Sequence, residues 1–383
     1  MNHDETCFGL RAGAPGIARN WISHVCVWRA LTGAPWVIAA LVLNLVAATA
    51  LAAPHPALLK REFIFENGPA PTNHPSTLVE TRDGLLAVWI NGAASRHPEN
   101  RMYSARYNGT NWSAPLKVAE NSPYADDARY QRWNPVPFQP SRGPLMLFYK
   151  VGPSPEGWWG MLMTSTNEGW TWSRPARLPD GFLGPVRNKP VELPDGSLLC
   201  GSSTEQGGWA THMERCFELG KRWEKTENLV ATDGIETIQP TILRHAPDQF
   251  QILCRTKQGV IAQSWSKDGG KIWSPLRRTS LPNPNGAIDA VRLDDGRFLL
   301  VYNHSNTNRT TLDVGISGDG NAWMKVLSIE AGDGDYSYPA VIQSRDGLVH
   351  VVYSWNRERI RHAVLDPKLI QGTATITPGR RLP

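Results

Sequence analysis

Helical periodicity is almost absent from this 383-residue sequence. From residue 54 onward, apolar residues come in short or alternating runs broken by Asp-Gly, Pro and Gly, which excludes a helical fold and reads as all-β. Cysteine is scarce, five in all, and Cys7 and Cys26 lie near the N-terminus. Cys200, Cys216 and Cys254 are odd in number and lack metal-type spacing. They read as buried thiols, with a Cys200–Cys216 bridge the alternative in an oxidising compartment. No His-x-x-x-His pattern occurs, so neither a metal nor a cofactor is expected. No block of Lys or Arg stands out either, and nucleic acid is excluded as a partner.

One long apolar run exists, Trp36–Ala50, followed by Leu51-Ala52-Ala53-Pro54. Arg11, Arg19 and Arg29 precede it, so residues 1–53 read as a secretory signal peptide that ends at small residues. The run falls short of the ~20 residues that span a bilayer. An uncleaved N-terminal anchor is the alternative, and the only membrane contact expected. The formal net charge is +5, and residues 1–53 carry three Arg against two acids, which leaves +4 on the remaining 330 residues. That mild balance suits an anionic small substrate. A secreted or periplasmic location follows from the leader.

What is present is a repeat. Ser266-Lys267-Asp268-Gly269-Gly270-Lys271-Ile272-Trp273 reads as a hairpin. Asp268, Gly269 and Gly270 supply the turn, and the Asp carboxylate accepts from its own backbone. Ser165–Trp172 repeats it with Asn167 for the Asp, and Ser317–Trp323 is one residue shorter. Weaker copies are Tyr107–Trp112 and Leu219–Trp223. Six units begin at Pro75, Pro135, Pro190, Pro240, Ile288 and Pro339, and each continues through a turn into a second apolar strand. Steps of 48 to 60 residues between these starts match one four-stranded propeller blade per unit. The sixth unit has room for three strands. Arg61–Glu66 is the candidate for its missing outer strand, which would close the ring. The expected organisation is therefore a six-bladed β-propeller over 58–370 with a tail at 371–383.

The residue at the head of each innermost strand should face the central channel. These heads carry Asn73-His74, Trp133-Asn134, Arg187-Asn188-Lys189, Glu236 to Gln239, Asn285-Gly286-Ala287 and Tyr336-Ser337-Tyr338. Loops at the same mouth add Lys150, Trp158-Trp159, Glu205, Arg255 and Arg309. Converging Arg, Lys, Glu and Tyr are more than polar capping requires and read as a binding site. Trp158-Trp159 are candidates for sugar stacking, with blade packing the alternative.

At these residues the sequence resembles the sialidase (neuraminidase) superfamily, in its Asp-box or BNR-repeat branch, and within it the bacterial predicted-neuraminidase subgroup. The resemblance covers about residues 60–366. It implies a glycoside hydrolase for an anionic sugar, sialic-acid-like or uronic. Tyr336 or Tyr338 would be the nucleophile, Glu236 its base, and Arg255 with Arg309 the carboxylate clamp. The family's Arg-Ile-Pro signature in blade one reads Asn73-His74-Pro75 here, so Arg96 or Arg187 would supply the third guanidinium. The loop that carries the family's acid/base Asp reads Asn91 to Asn100 with no Asp, which leaves His97 or Glu99 for that role. Arg187, Lys189, Asn134, Gln239, Lys150, Trp158, Trp159 and Glu205 would bind substrate. Two other readings stand beside this one. A polysaccharide lyase would suit His74 at the axis, and a propeller that binds carbohydrate without catalysis would use the same ring of residues.

Overall fold

The structure is a computed structural model that describes residues 54–371, except 93–98, 119–122, 125–126 and 128. The expected leader at 1–53 and nearly all of the expected tail lie outside the described residues.

Six four-stranded antiparallel sheets form among the described residues, and they are the six blades. Their innermost strands are Thr72–Thr81, Gln131–Phe138, Val191–Glu192, Thr237–Ala246, Asp289–Arg292 and Tyr336–Gln343. Leu58–Phe63 pairs with Arg359–Leu365 and becomes the outer strand of blade six. The ring thus closes by an N-terminal strand, as expected, but one that begins three residues before the expected Arg61–Glu66 and ends at Phe63.

The second strand of each blade reads as a nearly continuous apolar run because both of its faces are covered. Side chains alternate between faces. In Gly84–Gly92, Leu85, Ala87 and Trp89 pack with Ala340, Val352 and Ile360 of blade six. Leu86, Val88 and Ile90 pack with Leu145, Leu147 and Tyr149 of blade two. The same holds around the ring, so each of the six hydrophobic clusters is shared by two neighbouring blades.

The Trp hairpins form at the end of the blades away from the strand heads. Asp268 Oδ1 accepts from Ser266 Oγ at 2.8 Å and from the N–H groups of Lys271 and Ile272 at 3.1 and 3.0 Å. These bonds hold its carboxyl below the usual range, against burial, which pushes it up. Trp273 Nε1 donates to Gly270 O at 2.9 Å, which folds the indole back over the turn. Gly270 has φ +84°, and a Cβ there would come within 2.8 Å of Leu199 in blade three, so the turn is pressed onto the neighbouring blade.

Cys200, Cys216 and Cys254 are free and buried, as read from the sequence, and the alternative bridge is set aside. Cys200 lies opposite Glu214 and Cys216 opposite Leu198, so the first two cysteines are not cross-strand partners. One expectation is corrected: proline does not begin most innermost strands. Pro75, Pro135, Pro240 and Pro339 lie inside them, at register shifts between Asn73 and Ser76, Trp133 and Val136, Ile238 and Thr241, and Ser337 and Ala340. A bulge is where a strand tolerates a residue with no N–H.

Replacing Asp268 by Ala should lower unfolding free energy by about 1–2 kcal/mol, the loss of a turn acceptor for two backbone donors. Asp268→Asn should cost less than half as much, because Asn167 Oδ1 already accepts from Thr171 N at 2.9 Å in the equivalent hairpin of blade two. Denaturant titration of the two variants checks this, and equal losses would contradict it.

Candidate functional site

The bulges reach the site through backbone conformation. In each of blades two to six, one non-glycine residue at the strand head adopts a left-handed conformation: Asn134 (φ 43°), Arg187 (78°), Gln239 (56°), Asn285 (56°) and Tyr338 (55°). Such conformations are sparse for residues with a Cβ and gather at functional sites. In blade one the corresponding residue is His74, ahead of Pro75. The bulge offsets the alternation at these points, and Tyr338 turns inward where Tyr336 does not.

Tyr338 is where the blades meet. Arg255 Nη1, from blade four, donates to its phenol oxygen at 3.1 Å. The guanidiniums of Arg187, Arg255 and Arg309 lie 5.5, 5.7 and 5.8 Å from its ring centre, and they come from blades three, four and five. The His74 ring of blade one stands edge-on to it at 4.2 Å. Arg357, in the turn between the second and third strands of blade six, adds a fourth guanidinium whose charge acts on both Tyr338 and His74. It pairs loosely with Asp335 at 3.6 Å.

Burial pushes the Tyr338 phenol up. The field of Arg255, its hydrogen bond, and the fields of Arg309 and Arg357 outweigh burial and bring the phenol down to about 8. Burial, then Arg357, Arg187, Arg309 and Arg255, hold His74 well below its usual value, so it is neutral at pH 7. Its Nδ1 lies 2.8 Å from Ser354 Oγ. Burial, joined by like charge from Arg255, lowers Arg187 to about 10. Burial lowers Arg309 as well, with Arg255 and Arg357 adding to it. Cations gathered this closely make a binding site for an anion.

Two of these arginines also carry structure. Arg187 Nη2 donates to the carbonyls of Tyr338 and Pro339 at 2.6 and 2.7 Å, which ties blade three to blade six across the channel. Arg309 Nη2 donates to Asn285 O at 2.7 Å. Lys189, expected to bind substrate, is committed to Asp289 Oδ2 at 2.7 Å. Asp289 also accepts from Thr241 Oγ1 and Val341 N, so this pair plugs the channel. Gln239 is buried, and its N–H donates to Ser203 Oγ. Asn134 is buried as well.

Other expected residues lie elsewhere. The Tyr336 ring joins the cluster between blades five and six, away from the guanidiniums around Tyr338. Glu236 lies on the rim, where its carboxylate accepts from Lys257 Nζ at 2.8 Å and from Trp209 N at 3.1 Å. Tyr338 has a guanidinium at its oxygen in place of the expected carboxylate. Lys150 does not face the mouth. It shares strand parity with Met146 and Phe148, so it turns into the buried layer between blades two and three and donates to Pro185 O. Burial brings its amine down to about 7, with Glu214 opposing. Trp158 is buried edge-on to Trp133 at 5.9 Å. Trp159 is half-buried under the Arg177 guanidinium at 4.6 Å. Glu205 accepts from Trp209 Nε1 at 3.0 Å, and Trp209 in turn lies 5.0 Å from the Arg255 guanidinium. Burial raises the Glu205 carboxyl, and Arg255 opposes that rise. Glu99 is exposed in the turn just before the third strand of blade one, Arg101–Tyr107. His97 and Arg96 lie outside the described residues.

Sequence reasoning missed Arg357 and Trp209. Arg357 had a usable signal, since it occupies the same inter-strand turn in blade six that Arg309 occupies in blade five. Trp209 was one of 16 tryptophans and nothing in its local sequence marked it.

Residues 83–351 match the BNR repeat-like domain family. The chain belongs to that family. Solved structures with a similar fold include the NanB sialidase of Streptococcus pneumoniae, at 12% identity over 81% of this chain and 71% of that one, with a TM-score of 0.66. The intramolecular trans-sialidase of Ruminococcus gnavus aligns at 14% identity over 79% of this chain and 96% of that one, with a TM-score of 0.63. A protein of unknown function from Dyadobacter fermentans aligns at 15% identity over 82% of this chain and all of that one, with a TM-score of 0.68. No curated protein matches the sequence. The likeness to sialidases is therefore one of fold, and this BNR-repeat chain is sialidase-like in its six-bladed architecture.

Arg255→Ala should return the Tyr338 phenol from about 8 toward the usual value of about 10. Ultraviolet titration of phenolate, with Tyr338→Phe as the blank, reads this directly. A titration that Arg255→Ala leaves in place would mean that Arg255 does not set the acidity of this tyrosine.

Proposed function

We propose that the chain is a glycosidase that takes a carboxylated sugar, sialic-acid-like or uronic, at the head of the channel. The observation that carries the reading is the ring of guanidiniums from Arg255, Arg309 and Arg357 around a tyrosine acidified to about 8. Guanidiniums match a carboxylate with paired donors. The same charges make the Tyr338 phenol easier to ionise, and a more ionised phenol is a better nucleophile. Tyrosine is a known substitute for a carboxylate nucleophile when the substrate itself carries a carboxylate beside the anomeric carbon.

In this reading Arg255, Arg309 and Arg357 hold the sugar carboxylate. The Tyr338 oxygen attacks the anomeric carbon, the glycosidic bond breaks, and the departing oxygen takes a proton. Glu205 is the proton donor, because burial raises its carboxyl and so favours the protonated form. Water then attacks the sugar carbon, Glu205 takes a proton from that water, and the bond to Tyr338 breaks to return the phenolate. Arg187 acts by holding the backbone of Tyr338.

A lyase is the second reading, and the neutral His74 edge-on to Tyr338 favours it. There Tyr338 would take the proton beside a carboxylate that the arginines neutralise.

On a panel of sialosides and uronides, Tyr338→Phe should abolish turnover and Tyr336→Phe should leave it close to the parent. Arg309→Ala should lower kcat/KM by about 10- to 100-fold, the loss of a charge-assisted bond. Attack needs the Tyr338 phenol ionised while Glu205 keeps its proton, so activity should peak below about 8 and fall as pH rises through it. Full turnover in Tyr338→Phe ends the proposal. A product with ultraviolet absorbance from a new double bond would replace hydrolase by lyase.

A further inference from the structure

One indole on the channel rim touches two carboxylates at once. Trp209 ends the turn between the second and third strands of blade three, Leu198–Thr204 and Ala210–Phe217. Its Nε1 donates to Glu205 Oε2 at 3.0 Å, and its backbone N–H donates to Glu236 Oε1 at 3.1 Å. Its ring centre lies 5.0 Å from the Arg255 guanidinium and 5.0 Å from Lys257 Nζ. The turn itself makes this possible. Gly208 has φ +124°, a conformation that glycine adopts readily and other residues do not, and its N–H donates to Glu205 O at 3.3 Å. The chain thereby folds Trp209 back onto Glu205.

The two carboxylates are driven apart by their surroundings. Lys257 Nζ at 2.8 Å and the Trp209 N–H hold the Glu236 carboxyl below its usual range, so it stays ionised. Burial raises the Glu205 carboxyl. Arg255 opposes that rise, Glu156 adds to it, and the Trp209 indole and Lys257 oppose it. Carboxyls separated in this way divide acid and base roles between them. The atoms of Glu205 are told apart as well. An indole N–H can only donate, so Oε2 is its acceptor. The carbonyl oxygen is the better acceptor of a protonated acid, which leaves the hydrogen to Oε1.

We propose that Trp209 is a positioning residue: its N–H holds Glu205 so that the proton is given from Oε1, and its ring holds Arg255 in the carboxylate clamp. Arg255 is 7% exposed, with Nη1 on the Tyr338 phenol and the indole at its side. An aromatic ring attracts a guanidinium placed near it. Blade four anchors the turn that carries this ring, because Glu236 receives both the Trp209 N–H and Lys257. Acid and clamp therefore share one support, which comes from a blade that contributes neither Tyr338 nor Arg255. The chemistry rests on the axial reading of Tyr338 and Glu205. The hold on Glu205 does not, and it can be read without turnover.

Carbon-13 NMR of the glutamate carboxyls in the full chain, with Glu205→Gln to identify the signal, reads the titration of Glu205. Trp209→Phe keeps a ring beside Arg255 and removes the donor to Oε2. That donor favours the ionised carboxylate, so its loss should move the Glu205 midpoint to higher pH. On an acidic glycoside that the parent turns over, Trp209→Phe should lower kcat about two- to tenfold with KM within about twofold, lost alignment outweighing the larger protonated share. Trp209→Leu removes the ring as well and should also raise KM about two- to fivefold. Should Trp209→Phe fail to fold, Gly208→Ala, strained at φ +124°, should move the Glu205 midpoint the same way. A midpoint left in place overturns the proposal, as does a midpoint that moves with kcat unchanged. An unchanged KM in Trp209→Leu overturns the part that concerns Arg255. A midpoint that moves while the parent processes no acidic glycoside upholds the hold on Glu205 and ends the axial reading.

Discussion

No blade of this propeller owns a core. Each hydrophobic cluster takes residues from two neighbours, so a blade removed from the ring would expose apolar surface on both faces. Stability therefore belongs to the closed circle. The strand Leu58–Phe63 completes it from the other end of the chain. Its own ties reach sideways as well, since Arg61 Nη1 meets Glu330 at 3.1 Å and Ile329 O at 2.8 Å in blade five.

That closure is what allows like charges to gather. Four guanidiniums around one phenol repel one another, and burial adds a desolvation cost to Arg187 and Arg309. Only a scaffold held by contacts elsewhere can keep them there. Part of the cost is offset locally. Arg187 spends its donors on the carbonyls of Tyr338 and Pro339, and Arg309 on Asn285 O. The Arg187 bonds thus fix the left-handed backbone that aims Tyr338 inward, and the Arg309 bond holds the left-handed Asn285. The charge and the geometry of the site are produced by the same side chains.

The fold was legible because its signals are local. Asp-Gly turns, Trp hairpins and double-faced apolar strands each read out of a few adjacent residues, and six repetitions named the architecture. Even the use of Arg61–Phe63 to complete blade six followed from counting strands. The site was half legible. Arg255, Arg309, Arg187, His74 and Tyr338 converge from the strand heads and loops that marked them. Lys150 did not, because strand parity beside Met146 and Phe148 turns it into the core. Tyr336 and Tyr338 could not be separated from sequence. They have equal parity on a regular strand, and a register shift between Ser337 and Ala340 decides which points inward. Glu236 lies three residues before the left-handed Gln239, and its partners Lys257 and Trp209 come from loops that no local pattern pairs with it.

The axis and the space between blades two and three differ in electrostatic character for one structural reason. At the axis six strand heads converge, and four guanidiniums gather with Asp335, 3.6 Å from Arg357, as a loose counter-ion. Farther out, between blades two and three, two sheets diverge and bring acids and bases from separate strands. Arg177 finds Asp127, and His212 finds Glu214. Convergence gathers charge of one sign, and divergence lets opposite charges pair. A radial arrangement of sheets offers both within reach of one turn, Glu205–Trp209. It does so without any change to the packing between blades, because every residue involved lies at a strand end or in a connecting loop, or is, like His212, near the upper end of its strand.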